Sequence, residues 1–551
     1  MYAFFLSFLH SLAESVVSFN LLLEFSFMAK AIMVQGTGSD VGKSILVCAL
    51  CRIFRQEGLK VAPFKAQNMS NNSYVTAGGR EMGRAQVAQA EAAGILPEVE
   101  MNPILLKPSG NNGSQIITMG RPLRHMTAKE YYENKDSMLE IAKEAYESLS
   151  EQYDVIVIEG AGSPAEINIK DNDIVNMKIA GIADAPVILV TDIEKGGSFA
   201  WIVGTLELLD SDERDRVMGI IINKFRGDLS ILESGIDMLE ERIKKPVLGV
   251  LPYFTNIDVD DEDSMSLDKR NRVSEASESQ IDVVVIRLPR ISNFTDFDIL
   301  IREKDISVRF VEDARSIGNP DLIILPGTKN TIGDLEHIKE NGIADVVIDL
   351  EKNGTMVIGI CGGYQMLGKV ILDPENAESK TLETEGLGLI DVSTLFRMLK
   401  NTHQVKATLH DRGSDIFRSL NRDSEITGYE IHMGETVLLN EAAPFLKIIE
   451  RSDKEVCMED GAVSSDGNVI GSYLHGIFDN DEFRLGLINC LRENKGLTPV
   501  SAEELSSVDK EREYDKLADW FREHIDMELI YKQVGDLKTN SRKGAKSAEK
   551  N

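Results

Sequence analysis

A phosphate-binding loop joins a short apolar segment to a helix-forming segment near the start of the chain. The apolar residues 31–35 run directly into Gly36-Thr-Gly-Ser-Asp-Val-Gly-Lys-Ser44. In such a loop, backbone N–H groups and the N-terminus of the next helix bind phosphate oxygens. Five residues separate Gly36 from Gly42, one more than the standard spacing, and we expect Gly38 to absorb the extra residue. The chain must therefore contain a buried strand that presents this loop at its carboxyl end.

Short apolar runs alternate with segments of helical period through much of the chain. Runs that are apolar throughout are typical of strands buried on both faces, which indicates a parallel sheet covered by helices. In the first half, strands are predicted at residues 31–35, 60–64, 154–158, 186–191, 217–223 and 247–251. In the second half they are predicted at residues 281–286, 322–325, 357–360 and 469–473. The pattern predicts an α/β protein with two sheet-containing domains.

Changes in composition divide the chain into five parts. Residues 1–27 are apolar and lack Lys and Arg; we interpret them as a mis-assigned extension before a start at Met28, with a membrane anchor as the alternative. A first domain is predicted at residues 28–252 and a second at residues 281–500, and the acidic residues 253–280 are predicted to link them. Residues 501–551 are predicted to form a C-terminal helix and a basic disordered tail.

The net charge limits the kinds of molecule that the protein is expected to bind. Sixty Lys and Arg residues against 90 Asp and Glu residues give a net charge of −30, which argues against general binding to nucleic acid or to an anionic membrane. Five cysteines without a disulfide framework fit a reducing compartment. We therefore expect a cytoplasmic protein with no nucleic-acid or membrane partner, and a homo-oligomer is compatible with this composition.

Polar residues at the ends of predicted strands extend the nucleotide site. Lys43 is expected to neutralise phosphate charge, and Ser44 is expected to coordinate Mg²⁺ together with Glu159. Asn223 follows another strand, and we predict that its amide contacts the adenine edge of ATP. Lys65 is predicted to stabilise charge on a phosphoryl group during its transfer. Together these residues indicate phosphoryl transfer from Mg-ATP.

An amide-rich segment follows the second predicted strand. Burying Asn68, Asn71 and Asn72 without partners would be unfavourable, so we predict that they line a polar substrate pocket. An acidic substrate would also require a local basic lining in a protein of this net charge. The candidates for that lining are Arg80, Arg84, Lys107, Arg121 and Arg124.

A cysteine in a glycine-rich turn is the main feature of the second half. Gly359-Ile-Cys361-Gly-Gly363 follows an apolar strand, and its small residues permit a sharp turn into a helix. The dipole of that helix would favour the Cys361 thiolate. We predict that the N–H groups of Gly327 and Gly362 form an oxyanion hole and that His475 is the general base.

These motifs resemble two known families. The second half is similar to the class I glutamine amidotransferases, and the first half resembles the dethiobiotin-synthetase-like ATP-dependent carboxylate ligases, whose loop also has five residues between its glycines. This order of domains is that of the cobyric acid synthase and cobyrinate a,c-diamide synthase group. The segments that favour the cobyric acid synthase branch are residues 67–72, 287–296 and 325–331. The resemblance covers about residues 29–500 and implies a flavodoxin-like second domain.

The resemblance implies amidation of a corrinoid with ATP and glutamine as co-substrates. Cys361 would form a thioester with glutamine, His475 would transfer protons, and the released ammonia would react with an acyl phosphate made in the first domain. The substrate would be adenosylcobyrinic acid a,c-diamide, amidated on its b, d, e and g carboxylates. Most class I amidotransferases have Glu two residues after the histidine, but residue 477 is Ile. Asp479 is therefore the nearest acid in the sequence that could orient His475.

Two other interpretations stay open at this stage. Another amidoligase of the same layout, either a cobyrinate a,c-diamide synthase or a cell-wall amidating enzyme, would keep the catalytic residues and differ only in its substrate pocket. A nucleotide switch of the partitioning-ATPase type would instead carry an inactive amidotransferase-like domain, and the presence of both Cys361 and His475 disfavours it.

Overall fold

The computed structural model describes residues 28–110, 113–254, 280–411, 417, 420–506 and 509–534. The predicted extension at residues 1–27, most of the predicted linker (residues 255–279) and the predicted basic tail from residue 535 lie outside the described residues. In the ranges that are described, every helix is too short or too polar to span a lipid bilayer.

A six-stranded parallel sheet forms the centre of the first domain. The strands of this half are β1 (Lys30–Gly36), β2 (Val61–Phe64), β3 (Gln67–Met69), β4 (Ser73–Val75), β5 (Glu81–Gly83), β6 (Ile104–Gly110), β7 (Gly113–Thr118), β8 (Arg121–Met126), β9 (Val155–Glu159), β10 (Val187–Asp192), β11 (Val217–Phe225) and β12 (Val247–Pro252). The order in the parallel sheet is β12-β11-β10-β1-β9-β2. Every residue of β9 and β10 is buried, because helices cover both faces of the sheet.

Within residues 28–110 and 113–254, eight helices accompany these strands. They are α1 (Lys43–Gln56), α2 (Arg84–Ala93), α3 (Ala128–Glu133), α4 (Lys135–Ser150), α5 (Met177–Ile182), α6 (Ser198–Leu208), α7 (Ser211–Arg216) and α8 (Leu229–Ile243). Two small sheets lie between β2 and β9 in sequence: β3-β6-β7-β8, and the hairpin of β4 and β5. These short strands were not predicted, and the hairpin β4–β5 contacts the second domain.

The second domain contains two sheets. Its strands are β13 (Ile281–Ile286), β14 (Ile306–Val311), β15 (Leu322–Leu325), β16 (Met356–Ile360), β17 (Val370–Leu372), β18 (Glu383–Glu385), β19 (Val392–Leu409), β20 (Ile426–Leu438), β21 (Leu446–Arg451), β22 (Lys454–Asp460), β23 (Ala462–Val463) and β24 (Val469–Ser472). One sheet has the order β14-β13-β15-β16-β24-β23 and is parallel except for β23. The other is mostly antiparallel, with the order β18-β17-β19-β21-β22 and β20 paired to β19.

The helices of the second half are mostly short. They are α9 (Asp298–Arg302), α10 (Thr331–Glu340), α11 (Ile343–Lys352), α12 (Gly362–Leu367), α13 (Asp481–Asn494), α14 (Lys510–His524) and α15 (Met527–Gln533). All ten predicted strands occur within two residues of their predicted bounds, so the predicted fold class is confirmed. The mostly antiparallel sheet was not predicted, since its strands are half-exposed and have no continuous apolar run.

The C-terminal helix returns to the first domain. Leu517 and Phe521 of α14 are fully buried in the same apolar cluster as the residues of α1. At the edge of this contact, the Arg52 guanidinium forms ion pairs of 2.7 Å with both Glu511 and Asp515. The first domain is therefore completed by residues that follow the second domain in sequence.

Candidate active sites

The phosphate loop closes around the ammonium group of Lys43. Its Nζ donates a hydrogen bond of 2.9 Å to the Gly38 carbonyl oxygen and lies 3.4 Å from the Gly162 carbonyl oxygen. Gly42 precedes α1 with φ of 99°, a conformation that favours glycine. The loop thus has the backbone shape that its sequence predicts, with Lys43 at its centre.

Asn223 supports this loop from the neighbouring part of the sheet. Its amide nitrogen donates 2.8 Å to the Val41 carbonyl oxygen, and its amide oxygen accepts from the backbone N–H of Lys224. A Cβ atom at Gly42 would lie only 2.2 Å from the same amide nitrogen. These contacts give Asn223 a role in shaping the loop, and its predicted contact with the adenine edge of ATP stays a prediction.

Glu159 is the centre of the polar network beside the loop. Its side chain is 1% exposed, and it accepts hydrogen bonds from Ser44 Oγ at 2.8 Å and from Lys65 Nζ at 2.9 Å. Gln89 and Gln86 of α2 donate to its other oxygen. Burial alone would raise the pKa of Glu159, but Lys65 and these donors hold it below its ordinary value. The predicted residues Ser44, Lys65 and Glu159 thus meet at one point, and the two glutamines were missed because they lie in a plain helical segment.

The predicted substrate amides do not all face the same space. Asn68 is buried and donates to Gln86, so it supports the Glu159 network. Asn72 is buried at the contact with the second domain, where its side-chain oxygen accepts from Thr295 Oγ1 at 3.3 Å. The side-chain oxygen of Asn71 is buried without a hydrogen-bond partner. Asn68 and Asn72 are thus engaged within the protein, and the role of all three amides in a substrate pocket stays a prediction.

Cys361 occupies a sharp turn between β16 and α12. Its backbone has φ of 53° and ψ of −109°, a strained conformation for a residue with a side chain. Gly363 permits this turn, since a Cβ atom there would lie 1.9 Å from the Leu325 carbonyl oxygen. The thiol is buried, with Sγ 3.7 Å from the Ile431 carbonyl oxygen. The structure therefore has the nucleophile turn that the glycine pattern predicts.

His475 lies next to this thiol and is held by a carboxylate that the sequence did not reveal. Its Nδ1 lies 2.6 Å from Asp296 Oδ2, and the second oxygen of Asp296 accepts from the backbone N–H of Gly476 at 3.1 Å. The candidate acid Asp479 is therefore not the partner of His475. Asp296 was missed because it precedes His475 by 179 residues and follows no predicted strand.

The charge on His475 depends on its two neighbours. Burial alone would lower the pKa of its imidazole, but Asp296 and Cys361 raise this pKa to about 10. The imidazole is therefore in its protonated form near neutral pH, beside the sulfur of Cys361. A histidine beside a cysteine is placed to exchange protons during nucleophilic catalysis at the sulfur.

The two predicted oxyanion residues lie close to this pair, one next to each member. Gly362 is the first residue of α12, and a Cβ atom there would lie 2.8 Å from Thr328 Cγ2. A Cβ atom at Gly327 would lie 3.1 Å from His475 Cε1. Backbone N–H groups in a first helical turn have no intrahelical acceptor, so that of Gly362 is suited to bind an oxyanion. The structure places both residues at the thiol, and their role stays a prediction.

A second histidine, His432, also lines the cavity above Cys361. Its Nδ1 lies 2.7 Å from the Gly434 carbonyl oxygen, and its ring stacks on that of Tyr473 with centroids 3.7 Å apart. Burial lowers the pKa of His432 to about 3, so the ring is neutral near neutral pH. These contacts make His432 a wall of the cavity, and His475 is the histidine placed to transfer protons.

Both domains line the same cavity, and a buried ion cluster joins them there. Lys107 of the first domain donates 2.7 Å to Glu81 and 2.8 Å to Ser73 Oγ, while Lys400 of the second domain forms an ion pair with the same Glu81. Burial alone would raise the pKa of Glu81, but the two lysines hold it well below its ordinary value. Lys107 therefore takes part in the contact between the domains and also lines the cavity, and its place in a basic substrate lining stays a prediction.

The turn that carries Asp296 also contacts the first domain. Asn293 accepts from the Ser73 backbone N–H at 3.3 Å and donates 3.0 Å to the hydroxyl of Tyr429, whose ring stacks on His475. Thr295, in the same turn, donates to Asn72. This short segment therefore contacts hairpin β4–β5 and Asn72, the residue before the hairpin. The same segment orients His475.

Comparison with known proteins agrees with this two-part layout. Residues 32–267 match the model of the CobQ/CobB/MinD/ParA nucleotide binding domain, and residues 282–483 match that of the CobB/CobQ-like glutamine amidotransferase domain. A solved glutamine amidotransferase is 16% identical and covers 39% of this chain and 99% of its own length, with a TM-score of 0.28, too low to bear on the fold.

Relatives of similar length carry one shared name. A protein of Caldanaerobacter subterraneus subsp. tengcongensis named cobyric acid synthase is 50% identical over 92% of this chain and 98% of its own length. A protein of the same name from Streptococcus sanguinis is 51% identical over 92% of this chain and 99% of its own length. With both domain models matched and this identity over nearly the whole of each relative, the chain belongs to the cobyric acid synthase family of ATP- and glutamine-dependent amidoligases.

Proposed function

We propose that this chain amidates the b, d, e and g carboxylates of adenosylcobyrinic acid a,c-diamide, with nitrogen from glutamine and energy from ATP. The observation that carries the proposal is the occurrence, in one chain, of the Cys361–His475–Asp296 arrangement and of the phosphate loop around Lys43, in two domains joined by a buried contact. The relatives named cobyric acid synthase support the corrinoid as the substrate class.

Ammonia would be released at the thiol site. The sulfur of Cys361 attacks the side-chain amide carbon of glutamine, and the N–H of Gly362 donates to the oxygen that becomes negatively charged. His475 gives its proton to the departing nitrogen, which leaves as ammonia while a thioester remains on the sulfur. Water then hydrolyses the thioester to glutamate, with His475 accepting a proton from the water. Asp296 keeps the imidazole in the orientation that both transfers need.

The amide bond would form in the first domain. A carboxylate oxygen of the corrinoid attacks the γ-phosphorus of ATP, ADP leaves, and an acyl phosphate results. Ammonia then attacks the acyl carbon, and the carbon–oxygen bond to phosphate breaks. Lys43, within the loop, and Lys65, beside Glu159, are the cations placed to stabilise the negative charge of the transferring group.

Ser44 and Glu159 are the residues that would hold Mg²⁺. Their oxygens lie 2.8 Å apart at the phosphate loop, and oxygen ligands with substrate phosphates suit this ion. Bound there, Mg²⁺ would neutralise charge on the phosphate oxygens. Across the described part of the chain, no group of three or more His, Cys, Asp or Glu side chains is placed to hold a metal ion. An ion held by one hydroxyl, one carboxylate and ATP fits that finding.

The same proposal includes the bounds of the two domains, the cellular location of the protein and its binding partners. We place the ligase domain at residues 28–252 and the amidotransferase domain at residues 281–500, with α14 and α15 completing the former. All five cysteines are free thiols, which supports a cytoplasmic location. The net charge of −30 supports a protein without a nucleic-acid partner.

Mass spectrometry of the corrinoid would test the proposal. Wild type and Cys361→Ala are each incubated with Mg-ATP, adenosylcobyrinic acid a,c-diamide and either glutamine or ammonium. We expect wild type to replace up to four carboxylate hydroxyls by amino groups with either nitrogen source, and the variant to do so with ammonium alone. ATP hydrolysis without any change in the corrinoid would show that the substrate belongs to another class of carboxylate.

A further inference from the structure

The cavity above Cys361 contains two side chains of opposite charge that the reaction steps above do not use. Glu378 and Lys329 both line this cavity. One oxygen of Glu378, Oε1, accepts from the backbone N–H of Thr331 at 2.8 Å, but the other, Oε2, is buried without a hydrogen-bond partner. Among the described residues, the ammonium of Lys329 has neither a hydrogen bond nor an ion pair, and its interactions with other charged groups are electrostatic only.

Both charges lie close to the nucleophile. A Cβ atom at Gly362, the residue after Cys361, would lie 3.1 Å from the Thr328 backbone nitrogen and 3.2 Å from Thr331 Oγ1. Lys329 directly follows Thr328, and the Thr331 N–H is the donor to Glu378. Lys329 is therefore next in sequence to a residue beside the start of α12, and Glu378 is hydrogen-bonded to another such residue.

The surrounding protein compensates these two charged groups only weakly. Burial, with the nearby positive charges of Lys400 and Lys107, lowers the pKa of Lys329 to about 7. Burial likewise raises the pKa of Glu378 to about 7. Lys400 differs from Lys329 because it forms an ion pair with Glu81. Lys329 and Glu378 attract each other electrostatically, but among the described residues no hydrogen bond or ion pair joins them, and Oε2 of Glu378 has no hydrogen-bond donor. Buried charges are normally paired, so an acid and a base in one cavity without such partners indicate a ligand that brings one for each.

We propose that Glu378 binds the α-ammonium group of glutamine and that Lys329 binds its α-carboxylate. This arrangement would hold the zwitterionic end of the amino acid away from the sulfur and direct its side-chain amide toward Cys361. The assignment rests on the proposed glutamine-hydrolysing function. It explains why two charged side chains are kept in a cavity beside a thiol whose chemistry needs only His475 and backbone N–H groups.

Steady-state kinetics of glutamine hydrolysis would test the assignment, with Mg-ATP and the corrinoid present throughout. In Glu378→Gln and Lys329→Met, we expect KM for glutamine to rise by about 10- to 100-fold, the usual worth of one charged hydrogen bond. We expect kcat to change less, and amidation with ammonium to stay at the wild-type rate. Matched controls in the same segment are Glu375→Gln and Lys380→Met, whose side chains are exposed and should leave KM unchanged.

Substrate analogues separate binding from a structural role. Glutaramate lacks the α-ammonium group and 4-aminobutyramide lacks the α-carboxylate. Glu378→Gln should hydrolyse glutaramate as well as wild type does, and Lys329→Met should hydrolyse 4-aminobutyramide as well as wild type does. Equal losses on glutamine and on the matching analogue would overturn the assignment, as would an unchanged KM or loss of ammonium-dependent amidation. Wild type that hydrolyses no glutamine would refute the proposed function itself.

Discussion

The ATP site and the thiol site both have a buried carboxylate beside a nitrogen base, but they are assembled differently. In the first domain, Lys65 follows β2 and Glu159 ends β9, and these strands are neighbours in the parallel sheet. In the second domain, Cys361 and His475 follow the neighbouring strands β16 and β24, but Asp296 lies in a short turn outside the sheet. Groups at the ends of paired strands meet because of the sheet, whereas Asp296 reaches His475 only because the turn packs there.

The two sites also differ in their contacts with the rest of the protein. The Glu159 network draws all its partners from the first domain. The turn that supports His475 contacts the first domain through Asn293 and Thr295. We therefore expect changes at Glu159 to stop one reaction alone, and changes in this turn to affect both the thiol chemistry and the link between the reactions.

The largest effect is expected for Glu159→Gln. Loss of the carboxylate removes the partner of Lys65 and a proposed Mg²⁺ ligand, so corrinoid amidation should fall on the order of 10²- to 10³-fold with glutamine or ammonium. Glutamine hydrolysis should persist, since no thiol-site residue contacts Glu159. The measurement compares product formation with glutamate release, and exposed Glu207→Gln is the control. Equal loss of both activities would contradict the independence of the ATP site.

Asp296→Asn is expected to affect only the glutamine-dependent reaction. The amide keeps the shape of the side chain but cannot stabilise the imidazolium of His475, so kcat for glutamine hydrolysis should fall on the order of 10²-fold. Amidation with ammonium should be preserved. Asp479→Asn is the informative control, because Asp479 was the acid suggested by sequence alone. A larger loss for Asp479→Asn than for Asp296→Asn would contradict the observed geometry.

The pairing of His475 with Asp296 should also give a pH-dependent stability. The folded-state pKa of about 10 exceeds the ordinary value of 6.5, so the stabilisation is complete below pH 6.5 and is lost as the pH rises toward 10. The difference in free energy of unfolding between wild type and Asp296→Asn should therefore shrink across this range. Denaturant unfolding at a series of pH values measures it, and a difference that grows with pH would have the wrong sign.

The smallest effect is expected for Asn293→Ala. This change removes the hydrogen bonds to Ser73 and Tyr429 but leaves Cys361, His475 and Asp296 in place. The ratio of glutamine hydrolysed to amide formed should rise by about 3- to 10-fold, as expected for the loss of an allosteric coupling of about 1 kcal/mol. Asn353→Ala, on an exposed helix end, is the control. An unchanged ratio would show that this turn does not link the two sites.

The sequence by itself determined the elements whose physical causes are local. Apolar runs predicted all six strands of the first parallel sheet and β13, β15, β16 and β24 of the second, but not its edge strands β14 and β23. Glycines beside Lys43 and Cys361 predicted two turns that no larger residue could form without steric conflict. Because strand ends in a parallel sheet meet at one edge, the meetings of Lys65 with Glu159 and of Cys361 with His475 were also predictable.

Only the tertiary structure decided which distant segments pack together. The partner of His475, the engagement of Asn223 with the phosphate loop and the return of α14 to α1 all depend on contacts between segments far apart in the chain. The polar residues involved have several potential partners in the sequence, and burial selects one by making an unpaired charge or amide costly. The periodicity of apolar residues cannot predict which partner is selected, because it indicates only which face of a helix or strand is buried.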